Sequence, residues 1–84
     1  MFIFMDVKYR SHAVERMIQR NITTTEVESI LYEPDGMIQQ SQDKYIYYKK
    51  IKGRKDNFIA AVTLIKTTIS YEVLTVMIDF EVAK

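Results

Sequence analysis

His12, Arg16 and Arg20 are the residues of this chain whose types and spacing best suit chemistry on phosphate. They recur every four positions, so in an α-helix they lie one above another on the same side. Histidine exchanges a proton near neutral pH, and arginine offers a planar fork of donors that matches phosphate oxygens. Glu15 is a second nearby group able to exchange a proton. The stretch therefore indicates a phosphate site with proton transfer.

A second group of residues indicates contact with RNA. Tyrosines and cations are interleaved between residues 44 and 55, and strand alternation places Tyr45, Tyr47 and Lys49 on one face. Aromatic rings of this kind stack on bases while the cations hold phosphates. The candidate RNA or phosphate contacts are Tyr45, Tyr47, Lys49, Lys50 and Arg54.

Both groups also have a purely structural interpretation. The helical row is then a solvated face, with His12 in the helix cap and Arg20 bonded to carbonyls of a sheet. The tyrosines then complete the rim of the core, and the lysines protect an edge strand. Residue types and spacing leave both interpretations open.

Composition limits the class of protein. A length of 84 residues with 48% hydrophobic side chains indicates one folded domain over residues 1–84. The chain has no cysteine and one histidine, so we expect no metal and no cofactor. The apolar start at residues 1–5 is too short for a signal peptide, and no stretch reaches membrane-spanning length. We therefore expect a cytoplasmic protein without membrane contact.

The elements that must position these residues follow from the apolar pattern. Residues 2–8 predict a short N-terminal strand or an extended lead-in. Ser11 is the predicted N-cap of a first amphipathic helix, which Asn21 ends. Thr23 and Glu26 form a capping box that begins a second helix, and a proline–aspartate–glycine turn stops it.

The remainder of the chain has the pattern of β-strands. The predicted strands cover residues 37–41, 44–51, 58–65 and 69–78, with a weak turn at 66–68. In the last strand we expect one face to carry Tyr71, Val73 and Met77 and the other to carry Leu74, Val76 and Ile78. The predicted fold is α+β, with two N-terminal helices on one face of a curved antiparallel sheet of about four strands.

The helical stretch resembles a small bacterial family of unknown function. The resemblance is carried by His12-Ala13-x-x-Arg16-Met17-x-x-Arg20-x-Ile22-Thr23-x-x-Glu26-Val27, then by Leu31, Pro34 and Gly53-Arg54 in an all-β tail. That family is itself similar to the BrnT and RelE/ParE toxins. The segment from Arg20 to Asp35 is similar to a histidine-glycine-isoleucine-serine … aspartate-proline segment of BrnT toxins.

This resemblance implies a RelE-like fold and the toxin half of a toxin–antitoxin pair, a metal-independent endoribonuclease. Its partners would be an antitoxin protein and RNA or the ribosome. His12 or Glu15 would exchange the proton, and Arg16, Arg20 and Arg54 would hold phosphate. Such toxins usually carry basic or histidine residues near the end of the last strand, whereas residues 74–81 here are apolar and acidic. The alternatives are a non-catalytic RNA- or protein-binding module of the same fold, and a homodimer that buries an apolar sheet face.

Overall fold

Two helices and five strands make up the described part of the chain, which in this computed structural model comprises residues 6–55, 57–66 and 70–81. In chain order the elements are β1 (Asp6–Tyr9), α1 (Ser11–Gln19), α2 (Thr24–Tyr32), β2 (Gly36–Gln39), β3 (Lys44–Lys50), β4 (Phe58–Ile65) and β5 (Ser70–Phe80). The predicted α+β fold is confirmed, with one more strand in the sheet than the four expected.

The sheet has the strand order β1-β5-β4-β3-β2. The last four strands of the chain pair antiparallel as predicted, whereas β1 pairs parallel with β5, so the sheet is mixed. The N-terminal strand predicted over residues 2–8 is observed over Asp6–Tyr9, and residues 2–5 lie outside the described part. The central position of β4 explains its almost continuous apolar run, because a central strand is buried on both faces.

Helix α1 begins one residue earlier than the sequence predicts, because Arg10 and not Ser11 is its N-cap. Arg10 has an extended backbone, with φ −72° and ψ 155°, and its N–H donates to the Val73 carbonyl at 3.0 Å. Pairing with β5 therefore holds Arg10 in the extended conformation, and Ser11 becomes the first helical residue. No side-chain hydrogen bond caps this end of the helix.

Helix α1 ends as predicted, at an asparagine in the left-handed region. Asn21 has φ 54°, and its N–H donates to the Ile18 carbonyl at 3.4 Å. The next N–H, of Ile22, donates to the Met17 carbonyl at 2.8 Å, which completes a Schellman motif. Met17 and Ile22 are both buried, so the motif turns the chain while it keeps an apolar contact in the core.

Helix α2 begins with the predicted capping box. The Glu26 N–H donates to Thr23 Oγ1 at 3.1 Å, and the Thr23 N–H donates to Glu26 Oε1 at 2.9 Å. Two backbone donors at the helix start are thus satisfied reciprocally. Past the helix end, the Asp35 N–H donates to the Tyr48 carbonyl at 2.8 Å, which attaches the turn to β3.

Both helices pack on the same face of the sheet. Their buried residues join the inward side chains of the strands in one apolar cluster, which includes Ala13, Met17, Val27, Ile30, Leu31, Tyr47, Ile59, Ala61, Val73 and Val76. The opposite face carries a smaller cluster of Ile46, Ala60 and Val62, with Tyr48, Leu74, Met77 and Phe80 packed against it. No helix residue belongs to this second cluster.

Strand β5 departs from simple alternation, and the two faces predicted for it are wrong beyond Val73. Val62 pairs with Thr75 and Thr63 with Val73, so a bulge inserts Leu74. The bulge shifts the alternation, so Val76 and Ile78 join Val73 on the helix side, and Met77 joins Leu74 on the other side. The start of the predicted strand at residue 69, and positions 67 and 68 of the predicted turn, lie outside the described part.

The described helices are short, with nine residues each. Neither is long and apolar enough to cross a membrane.

Candidate anion-binding groove

The longest strand of the sheet extends past its neighbour and leaves part of its edge without a partner. Strand β1 pairs with only four residues of β5, from Ser70 to Val73. Strand β5 continues to Phe80. Among the described residues no strand pairs with the β1 side of β5 beyond Val73, so that edge keeps unpaired backbone groups.

Helix α1 lies beside this unpaired edge and forms a groove with it. The helix begins next to Val73, where the Arg10 N–H is bonded, and proceeds alongside the rest of β5. An open groove of about 420 Å³ is lined by Arg16, Arg20, Thr75, Val76, Met77 and Ile78. Successive strand residues point to opposite faces. A groove lined by four consecutive residues therefore follows the edge of the strand.

The sequence-predicted arginines meet in this groove because of how α1 is oriented. Ala13 and Met17 are buried against the sheet, which leaves the neighbouring helix positions at the border of the apolar stripe. Arg16 is half-buried there, and Arg20, the C-cap residue, is exposed. The structure therefore brings together two of the predicted phosphate ligands.

Within the described part of the chain, the two arginines of the groove have no acidic partner. Neither the Arg16 nor the Arg20 guanidinium has a hydrogen bond or ion pair with the described residues. Arg10 differs, since its Nε donates to Glu72 Oε2 at 2.9 Å, and this hydrogen bond lowers the pKa of Glu72. Two free guanidinium forks one helical turn apart suit an anion with several oxygens, such as a phosphodiester or paired carboxylates.

His12 and Glu15, the predicted proton-exchange groups, do not line the groove. Both side chains are exposed on α1, and His12 precedes Arg16 by one helical turn. Within the described ranges no three histidine, aspartate or glutamate side chains are grouped so that they could hold a metal ion. The groove by itself therefore supplies charge for binding and no proton donor or acceptor of its own.

Arg54 does not line the groove and instead caps the end of α1. Its Nη1 donates to the Asn21 carbonyl at 2.9 Å, and its Nη2 donates to the Arg20 carbonyl at 3.1 Å. Nη1 also lies 3.5 Å from Glu26 Oε2, so Arg54 connects the end of α1 to the start of α2. A cation stabilises the partial negative charge at a helix C-terminus, so the geometry gives Arg54 a structural role.

Lys49 has the same relation to α2 that Arg54 has to α1. Its Nζ donates to the carbonyl of Glu33, the C-cap residue of α2, at 2.6 Å. Lys50 lies on the opposite face of β3 and is exposed, and its backbone N–H donates to Asp35 Oδ2 at 2.8 Å. The side chains of Lys49 and Arg54, two of the cations predicted to contact RNA, are thus engaged at helix ends.

The two tyrosines predicted to contact RNA, Tyr45 and Tyr47, lie on the face of the sheet that the helices cover. Tyr47 is 7% exposed and belongs to the main core, and burial raises the pKa of its hydroxyl. Its ring centroid is 6.2 Å from that of Tyr45 and 6.4 Å from that of Tyr71. Tyr45 is half-buried at the rim of the same cluster. The burial of Tyr47 favours the structural interpretation, because a buried ring has no face on which a base can stack.

Sequence reasoning missed the strand edge from Thr75 to Ile78. Its side chains carry no charge, and a search for catalytic residue types passes over them. The available signal was a modest difference of length, since the predicted last strand, 69–78, is longer than the predicted first strand, 2–8. An unpaired edge follows whenever a long strand has a short neighbour at the border of a sheet.

Fold and groove together define the class, a small α+β domain in which a helix sets two arginines beside an open strand edge. The chain belongs to the DUF4258 family, a domain of unknown function, whose family model matches residues 9–78. No curated protein and no solved structure matches the chain.

Proposed function

We propose that this domain binds RNA by its phosphate backbone in the groove between α1 and β5, as the toxin half of a RelE/BrnT-like toxin–antitoxin pair. The observation that carries the proposal is the pair Arg16 and Arg20, two guanidinium groups without ion pairs among the described residues, which line one groove. Arginine forks bind phosphate oxygens through two parallel hydrogen bonds, which gives both affinity and orientation.

The proposed reaction is metal-independent cleavage. The ribose 2′-hydroxyl loses its proton and attacks the adjacent phosphorus, the bond from phosphorus to the 5′-oxygen breaks, and that oxygen takes up a proton. His12 or Glu15 exchanges the protons, and the arginines stabilise the additional negative charge on phosphorus. His12 is exposed and lies about 6 Å along the helix axis from Arg16, a distance that four residues of rise determine.

RNA binding is tested by fluorescence anisotropy with a labelled single-stranded RNA at low salt. The double variant Arg16→Gln/Arg20→Gln is expected to bind at least tenfold more weakly than the original protein. Lys52→Gln is the matched control, since Lys52 is an exposed cation outside the groove. The slope of log affinity against log salt should fall in magnitude by about 1.4 in the double variant, since each phosphate contact on a single strand contributes about 0.7.

Cleavage is tested separately, with naked RNA and with ribosomes programmed with messenger RNA, in the presence of a chelator. Combined in one protein, His12→Ala and Glu15→Gln are expected to lower the cleavage rate at least a hundredfold, because proton transfer typically contributes a factor of about 10² to 10⁴. RNA affinity should change little. Growth inhibition on expression, and its relief by a co-expressed neighbouring reading frame, tests the toxin–antitoxin assignment.

A non-catalytic binding module is the second candidate. The specific observation in its favour is that His12 and Glu15 do not line the groove, while Lys49 and Arg54 are engaged with helix carbonyls. RNA binding that depends on Arg16 and Arg20, without cleavage under either condition, selects this candidate. Equal RNA binding by the double variant and the Lys52→Gln control overturns the groove as the RNA site.

A further inference from the structure

We infer that the unpaired edge of β5 receives an extended, acidic segment of a partner protein as an added strand, with alternate carboxylates of that segment bound by Arg16 and Arg20. The inference concerns the backbone edge as well as the arginines, and it stands whether or not RNA binds. Only the consequence that such a segment excludes RNA from the groove rests on the proposed function.

The edge of β5 beside the groove lacks the side chains that usually protect a free strand edge. From Leu74 to Ile78 the strand has no charged side chain and no proline, the features that normally protect a free edge from pairing with other chains. The nearest such feature is Asp79, where φ is 51° and a second bulge distorts the strand. An edge of this length, β-branched and apolar, is suited to main-chain pairing with an incoming strand.

The spacing of the two arginines matches the spacing of alternate side chains on a strand. Arg16 and Arg20 are separated by four residues of helix, which is about 6 Å of rise. Alternate side chains on one face of a strand are separated by two residues, which is about 6.6 Å. A strand that pairs with β5 along the groove therefore places every second side chain opposite an arginine, and glutamate or aspartate at those positions forms charge-assisted hydrogen bonds.

An acidic peptide suits this edge better than RNA or a second copy of the chain does. RNA lacks the peptide N–H and C=O groups that would satisfy the backbone of β5. A second copy of this chain would satisfy that backbone, but pairing the two β5 edges would bring the arginines of both copies towards the same seam. Like charges so placed repel one another, whereas an acidic segment compensates them. Charge and backbone together favour an acidic peptide.

The test uses three labelled probe peptides of nine residues with the intact protein. The first alternates valine and glutamate, the second has glutamine in place of glutamate, and the third keeps glutamate but carries N-methyl groups on alternate backbone nitrogens. Binding is measured by fluorescence anisotropy at low and moderate salt. Amide hydrogen exchange is followed at residues 74–78, and the oligomeric state is measured by light scattering.

The expected result is binding of the glutamate peptide, at least tenfold weaker binding of the glutamine peptide, and no binding of the N-methylated peptide. Exchange at residues 74–78 should slow at least tenfold when the first peptide is bound. Arg16→Gln/Arg20→Gln should reduce affinity for the first peptide at least tenfold, and Lys52→Gln should leave it unchanged.

Three other outcomes overturn the inference. Equal binding of the N-methylated and unmethylated glutamate peptides means that the arginines hold an anion and no strand is added. A stable dimer with slow exchange at residues 74–78 and no peptide binding assigns the edge to a second copy. A monomer that binds none of the peptides shows that the edge takes no acidic strand. Peptide binding without RNA binding, by contrast, removes the proposed function and leaves the inference intact.

Discussion

Arg54 and Asn21 are 33 residues apart in the chain, and a hydrogen bond of 2.9 Å joins Arg54 Nη1 to the Asn21 carbonyl oxygen. Together with the bond from Nη2 to the Arg20 carbonyl, it closes the end of α1 with a cation from the loop between β3 and β4. The same guanidinium lies beside Glu26 at the start of α2. One side chain thus fixes the junction of the two helices, and Arg20 of the groove lies at that junction.

Arg54→Ala is expected to lower the free energy of unfolding by about 2 kcal/mol, because two helix-end carbonyls lose their donor and Glu26 loses its cation. Urea denaturation measures this loss. Lys55→Ala, an exposed cation next in the chain, is the control and should change stability by less than about 0.5 kcal/mol. A stable Arg54→Ala protein with weakened RNA binding would instead support the phosphate role predicted from the sequence.

Asn21→Ala is expected to cost about 1 kcal/mol, since alanine disfavours the left-handed conformation that Asn21 adopts at φ 54°. Asn21→Gly should be neutral or slightly stabilising, because glycine adopts that conformation freely. Both variants keep the backbone carbonyl that Arg54 binds. Thermal unfolding followed by circular dichroism ranks the three proteins, and a destabilised glycine variant would show that the Asn21 side chain itself is required.

Gly36→Ala is expected to destabilise the protein by about 1 to 3 kcal/mol through overpacking. Gly36 pairs with Tyr48, and a Cβ atom at Gly36 would overlap the Tyr48 ring. That ring has little freedom to move, since its centroid is 5.2 Å from that of Phe58 and 5.7 Å from that of Phe80.

Chemical denaturation of Gly36→Ala, Tyr48→Ala and the double variant forms a cycle that isolates this pair. The double variant should be more stable than the sum of the two single effects predicts, because removal of the ring makes room for the new methyl group. Additive losses would show that the two positions do not interact through this overlap.

Tyr9→Phe is expected to be neutral or stabilising by up to about 1 kcal/mol, because the Tyr9 hydroxyl is buried without a hydrogen-bond partner among the described residues. Burial, together with the negative charge of Glu28, raises the pKa of Tyr9 to about 12. Although the Glu28 carboxylate is near, it makes no hydrogen bond of good geometry with that hydroxyl.

The raised pKa of Tyr9 also predicts a dependence on pH. The folded protein retains the Tyr9 proton more tightly than the unfolded chain, whose tyrosines titrate near pH 10. Tyr9 therefore has no pH-dependent effect on the free energy of unfolding below about pH 10. Above it, ionisation of Tyr9 lowers that free energy as the pH rises towards 12. Urea midpoints across this range should fall less steeply for Tyr9→Phe than for the original protein, and parallel curves would contradict the assignment to Tyr9.

Local signals in the sequence predicted what local geometry determines. The capping box of Thr23 and Glu26 depends on residues three apart, and Asn21 ends α1 through its own backbone conformation. The alternation of β3 was likewise correct, with Tyr45 and Tyr47 together on one face. Such features need no knowledge of the rest of the fold, so the sequence is sufficient for them.

Contacts between distant segments were beyond these signals. Arg10 replaces Ser11 as the N-cap because Arg10 is paired with Val73, which lies far along the sequence in β5. The bulge at Leu74 depends on the register between β4 and β5. The helix-capping roles of Lys49 and Arg54 also depend on tertiary placement. For the candidate site, the sequence indicated both arginines but not the strand edge beside them.

The four-residue length of β1 has a consequence for the evolution and engineering of this domain. An insertion of a few residues between Tyr9 and Arg10 would let β1 continue alongside β5. The chain would then pair with the edge of β5 that is now open beyond Val73. If the edge of β5 receives a partner strand, as inferred above, a longer β1 would block that strand while the core stays intact. The length of β1 therefore decides whether this edge of the sheet is open or covered.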